Sequence, residues 1–210
     1  MNRLTEHFFK TSHPVFTNAD VSTSVPGSDY SRHGLVKRAI AEGEILNIRR
    51  GLYCLAPPYR KGPVSVFAVS QRVYGPSYVS METALSYHGW IPEAVYACTC
   101  ASFHNGKDFD TPLGLFSYKR VPQKTFFAEV ERRVDQDDNV FFMASPAKAL
   151  ADYVYVHRVN WAGIDEAVGS LRIEPEQLLS VSPEELAELT ENYTNGRVKR
   201  FLKGWHNALS

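Results

Sequence analysis

An α+β fold is predicted for this 210-residue chain by three observations. A basic helical run over residues 31–42 feeds directly into a short hairpin over 45–55, β-rich stretches follow between 95 and 143, and the C-terminal third is helical in pattern.

Taken in order, Leu4, Phe8 and Phe9 give a first amphipathic helix. Phe16-Thr17-Asn18-Ala19-Asp20 reads as a helix start, with Thr17 as N-cap, an acid three residues on, and Phe16 as the preceding apolar anchor. That second helix ends at Pro26-Gly27, a strong turn dipeptide. In the third helix Leu35, Val36, Ala39 and Ile40 are expected to face a core, and Gly43 supplies the stop. Tyr30, Gly34, Lys37, Arg38 and Ala41 fall on the opposite face, where small residues permit close approach and cations suit phosphates or base edges. Ser31 and Arg32 open the same helix and join the candidate surface. Ile45, Leu46, Ile48, Tyr53 and Leu55 have strand character, and Arg49-Arg50-Gly51 sits at the turn, placed for a phosphate backbone or a narrow minor groove.

Three helices closed by a hairpin within about 60 residues is the layout of a winged helix-turn-helix. The expected organisation is a DNA-binding domain over 1–60 and a mixed α/β domain with a helical tail over 64–210. The Pro- and Gly-rich stretch 56–63 between them reads as a hinge that lets the two fold separately. Charge supports the division. Residues 1–62 carry nine Lys/Arg against five acids, leaving fourteen against eighteen in the remainder, so a chain of zero formal net charge is basic at one end.

Hydrophobic content of 44% suits a globular protein. Three cysteines form no extracellular framework, and neither a signal-peptide core nor a bilayer-spanning run is present, so a cytoplasmic location is expected.

In the second domain, 64–74 reads as a short helix before Gly75-Pro76. Tyr78-Val79 reads as a brief extended piece, and Ser80 as the cap of a helix running to Gly89. Strands are expected at 95–103, 115–121, 126–134 and 140–143. Ser145-Pro146 starts a helix, Ser182-Pro183-Glu184-Glu185 another, and Asn195-Gly196 precedes a final basic one with Arg197, Lys199, Arg200 and Lys203. Chemistry is sparse. Cys98 and Cys100 share a strand side without the second pair that zinc requires, His88, His104 and His157 are irregularly spaced, and Glu129 and Glu131 are expected on one strand face, which could hold a cation but is explained as well by a solvated sheet face. No phosphate loop or nucleophile elbow is present; the expectation is a protein that is not an enzyme, with no catalytic residues, metal or cofactor.

Several stretches together resemble the AbiEi family of antitoxins, transcriptional repressors of bacterial abortive-infection operons. They are Phe16–Asp20, Ser31–Leu35 running to Arg49-Arg50-Gly51-Leu52-Tyr53, Tyr78–Gly89, Phe116-Ser117-Tyr118 and Ser145–Asp152. Ala147 departs from the pattern, where the family usually carries an acid. The resemblance implies a winged helix that binds inverted repeats in double-stranded DNA at its own promoter. It also implies a C-terminal domain that opposes a co-encoded nucleotidyltransferase toxin, without a stable complex being required. Two other classes share parts of this pattern. A stand-alone winged-helix transcription factor would use its second domain to dimerise or bind an effector, and a DNA-targeted nuclease would need clustered carboxylates with a lysine.

Overall fold

In the computed structural model, which describes residues 1–93 and 95–209, the four side chains of Leu52–Leu55 (β3) are all buried. This strand is the centre of a three-stranded antiparallel sheet, with β1 (Val15–Thr17) on one side and β2 (Ile45–Arg49) on the other. Alternation sends Tyr53 and Leu55, with Phe16 and Ile45, into a core closed by α1 (Arg3–Lys10), α2 (Asn18–Ser24) and α3 (Asp29–Ala41). Phe8 of α1 stacks on Phe16 at 3.9 Å between ring centroids. Leu52 and Cys54 turn the other way and, with Ile48, enter the larger core of the following unit. A strand covered on both faces has no solvent side, which is why Leu-Tyr-Cys-Leu is uninterrupted by polar residues.

The expected hinge therefore joins two units that share a packed boundary. Residues 57–59 form a single 3-10 turn. Beyond it Lys61 donates to Ser12 Oγ at 2.9 Å, and Arg72 of α4 (Val66–Val73) donates to the Val15 carbonyl at 2.9 Å.

The second unit is built on a six-stranded mixed sheet in the order β6-β7-β5-β4-β9-β8. Its strands are β4 (Ser77–Val79), β5 (Ala97–Ser102), β6 (Lys107–Thr111), β7 (Gly114–Arg120), β8 (Val130–Val134) and β9 (Val140–Ala144). β5 runs parallel to β7, and β4 parallel to β9; the remaining neighbours are antiparallel. Along β5, Cys100 and its register partner Tyr118 share a side with α4, where the Tyr118 hydroxyl donates to the Ser70 carbonyl at 2.5 Å. Thr99 points to the other face, against Thr83 of α5 (Met81–Tyr87). There α6 (Pro146–Val156) packs on α5, and α7 (Ile164–Leu171), α8 (Pro175–Leu179), α9 (Pro183–Asn192) and α10 (Gly196–Ala208) close the far side around Phe201 and Trp205. Gly204 is required for that closure, since a methyl group there would overlap the Ala162 carbonyl oxygen.

Several sequence expectations shift. Ile40, expected in the core, is 36% exposed, because the buried stripe of α3 centres on Val36 and Ala39. The expected strand over 126–134 begins only at Val130, and Glu129 precedes it with a left-handed φ of 52°, so Glu129 and Glu131 do not share a strand face. β6, Lys-Asp-Phe-Asp-Thr, has too little apolar content to be read from sequence; it forms because it pairs along β7. Ser80 precedes α5 but does not cap it through its side chain. Among the described residues no helix is long and apolar enough to cross a membrane.

Candidate nucleic-acid interface

The exposed side of α3 is presented by two caps and a turn. Thr17 Oγ1 accepts from Asp20 N–H at 3.2 Å while the Asp20 carboxylate accepts from Thr17 N–H at 2.6 Å, a reciprocal box that starts α2. Burial works to raise the Asp20 carboxyl, but Thr17 and the Arg72 charge hold it below its ordinary value. The chain reverses at Pro26-Gly27, with Gly27 at φ 135°, and Ser28 caps α3 by accepting from Ser31 N–H at 3.2 Å. Such a cap is worth about 1 kcal/mol.

The candidate residues then separate by environment. Arg32 braces the turn, donating from Nε to the Val25 carbonyl and from Nη1 to Asp29, both at 2.8 Å. Tyr30, 91% exposed, stands out from the first turn of α3. Ser31, Lys37, Arg38 and Ala41 are exposed, and beside half-buried Gly34 a Cβ would meet open space. At the β2–β3 turn Arg49 and Arg50 are exposed, and Gly51 takes a φ of 78°. This turn is fastened to α2, because Asn18 N–H donates to the Gly51 carbonyl at 3.2 Å. A bulge between Asn47 and Arg49 re-aims β2 just before the arginines. Among the described residues Lys37, Arg38, Arg49 and Arg50 make no ion pair, whereas Lys10 is paired with Glu6 and Arg32 with Asp29.

A second charged constellation, in the core of the other unit, was not read from sequence. Lys148 and Asp152, four residues apart on α6, are both 0% exposed. Asp152 accepts from the hydroxyls of Tyr78 (2.9 Å), Ser80 (2.7 Å) and Tyr193 (2.5 Å). Lys148 Nζ donates to Gln123 Oε1 at 2.5 Å and lies over the rings of Tyr78 and Tyr193. Burial lowers the Lys148 ammonium pKa against the pull of Asp152, and burial together with the Asp152 charge pushes both tyrosines up. Glu129 lies near this lysine with Glu185 and Glu188; burial and those two charges push its carboxyl up to about 7. The segments Tyr78–Gly89 and Ser145–Asp152 meet at this network, and Ala147 beside it is fully buried. The sequence held two signals for it, the family-like segments Tyr78–Gly89 and Ser145–Asp152 and the i, i+4 spacing of Lys148 and Asp152, but that spacing reads equally as an exposed helix pair.

Cys98 and Cys100 are buried on β5 with sulfurs 3.9 Å apart. Among the described residues no group of three His, Cys, Asp or Glu side chains is placed to hold a metal ion. No protein-family model matches the chain, and no characterised protein shows significant sequence similarity to it.

Proposed function

We propose that the N-terminal unit is a winged helix-turn-helix that binds duplex DNA, with α3 in the major groove and the β2–β3 turn as the wing. The observation that supports this best is the set of four exposed cations, Lys37 and Arg38 on α3 and Arg49 and Arg50 at the β2–β3 turn, none of them ion-paired among the described residues; α3 and β2 pack on one core, and the Asn18–Gly51 hydrogen bond ties the turn to α2. Unpaired exposed cations next to a glycine on a helix match the needs of a base-reading face, and arginines at a hairpin turn match a backbone contact. Arg32 belongs to the frame of that surface, through its bonds to Val25 and Asp29.

On the resemblance of its segments to the AbiEi family, the chain is a cytoplasmic autorepressor of its own operon and the antitoxin of a nucleotidyltransferase toxin. Titration of the full chain against the DNA upstream of its own gene tests the first part. The expected result is tighter binding there than to a scrambled duplex, with affinity falling steeply as salt is raised. Equal affinity for both duplexes removes the repressor reading, and no binding at low salt removes DNA recognition altogether. For the antitoxin part, growth rescue on co-expression with the nucleotidyltransferase of the neighbouring reading frame is expected; absence of such a gene, or of rescue, overturns it.

A further inference from the structure

We propose that the C-terminal unit holds a binding cleft for a small polyphosphate anion, of the nucleoside triphosphate class. The cleft is about 340 Å³, and Lys119, Arg120, Tyr155, Arg158, Asn195 and Arg197 line it. Its cations arrive from three places distant in sequence: the end of β7, the residue after the α6 cap, and the first turn of α10.

Lys119 is paired with Asp108 at 3.2 Å, but the guanidinium groups of Arg120, Arg158 and Arg197 have neither an ion-pair nor a hydrogen-bond partner among the described residues. Like charges gathered around one concavity repel, and a multiply charged anion relieves that repulsion. Guanidinium forks match phosphate oxygens in geometry as well as charge. Arg158 is held at a left-handed φ of 57°, a conformation unfavourable for a side-chain-bearing residue, immediately after the α6 cap at His157. The amino-terminal end of α10, capped by Asn195, adds the positive pole of a 13-residue helix.

Size and shape select the ligand. The cleft falls in the range of small-molecule sites, and half-buried Tyr155 supplies a flat aromatic wall on which a base can stack. A duplex backbone is met by cations strung along an outward surface such as that of α3 and the β2–β3 turn, whereas these line one concavity. The cleft is separate from that surface, so the inference does not depend on DNA binding by the N-terminal unit.

The test is calorimetric titration of the full chain with ATP, inorganic tripolyphosphate and adenosine. Saturable, mutually competitive binding of ATP and tripolyphosphate is expected, with ATP the tighter and adenosine not bound. Replacing Arg120, Arg158 and Arg197 together by glutamine, which keeps the aliphatic stems, is expected to weaken both ligands about tenfold or more. If circular dichroism shows that variant unfolded, Arg120→Gln at the exposed end of β7 replaces it, with a several-fold loss expected. Tyr155→Leu is expected to weaken ATP while leaving tripolyphosphate unchanged. The cleft assignment is overturned if the wild-type chain binds neither phosphate compound saturably. It is also overturned if the folded glutamine variant binds both as the wild type does, or if the glutamine changes weaken only duplex DNA binding. A Tyr155→Leu variant with unaltered ATP affinity overturns the nucleoside assignment.

Discussion

The outer side of α3 and the β2–β3 turn hold Lys37, Arg38, Arg49 and Arg50 in solvent with no ion-pair partner among the described residues, whereas Lys148 and Asp152 in the C-terminal unit are wholly enclosed. Asp152 accepts three hydroxyl hydrogen bonds, and Lys148 has Gln123 and two tyrosine rings around it. Exposed cations contribute little to folding and are free for an external anion. Buried ones hold elements in place only while every partner is present, because a single deletion leaves a charge or a dipole without compensation in a low-dielectric interior. Mutations in the two regions should therefore move different observables.

The largest effect is expected at Asp152. Asp152→Ala strands three buried hydroxyls and the Lys148 ammonium, and should cost about 3–5 kcal/mol in chemical denaturation. A loss below 1 kcal/mol, roughly that of an exposed ion pair, would erase the contrast between the regions. Leu52→Ala comes next, at about 2–5 kcal/mol, since Leu52 is 2% exposed at the boundary between the units. One coincident transition, followed by fluorescence and by circular dichroism, is expected for that variant; two resolved transitions would mean that the boundary does not couple the units.

Arg38→Ala should leave denaturation within about 0.5 kcal/mol of the wild type. On the proposed function it should also lower affinity for the preferred duplex by about 1–3 kcal/mol and relax sequence preference. Arg49→Ala with Arg50→Ala should instead weaken all duplexes alike and flatten the salt dependence. Identical behaviour of the two variants would mean that α3 and the β2–β3 turn do not contact DNA in different ways.

The smallest effect concerns pH. Glu129 is pushed up to about 7 from an ordinary value of 4.5, so the folded chain retains a proton that the unfolded chain releases. Its contribution to stability is fully present below about 4.5 and is lost as pH rises to 7, because the unfolded state binds fewer protons across that window. Glu129→Gln should remove that downward slope in denaturation midpoints, and an unchanged slope would assign it to other groups.

Local signals in the sequence locate much of this fold. The Thr17–Asp20 box, Pro26-Gly27, Gly43, Ser145-Pro146 and Asn195-Gly196 each mark a boundary within a residue or two of where it falls, because caps and turns depend on groups only a few residues apart. The candidate interface is legible for the same reason: Lys37 and Arg38 lie one helix face away from the buried Val36–Ala39 stripe. Ile40 was misplaced because the stripe's exact rotation is decided by what packs on it. The Asp152 network and the Arg120–Arg158–Arg197 cleft were not read because each joins residues separated by tens of positions, with nothing in local spacing to relate them.

The sequence by itself thus determined an α+β chain with a basic N-terminal end, the starts and stops of its principal helices, and the solvent-facing cations of α3 and the β2–β3 turn. Tertiary structure alone decided that β3 is buried on both faces, that the 56–63 link joins units in contact, and that β6, with little strand propensity of its own, completes a sheet. It also decided which charges are enclosed and which are left free. Helix caps, turns and one-face periodicity are set by interactions within about a turn of chain, whereas burial, charge pairing and strand order depend on contacts between distant segments.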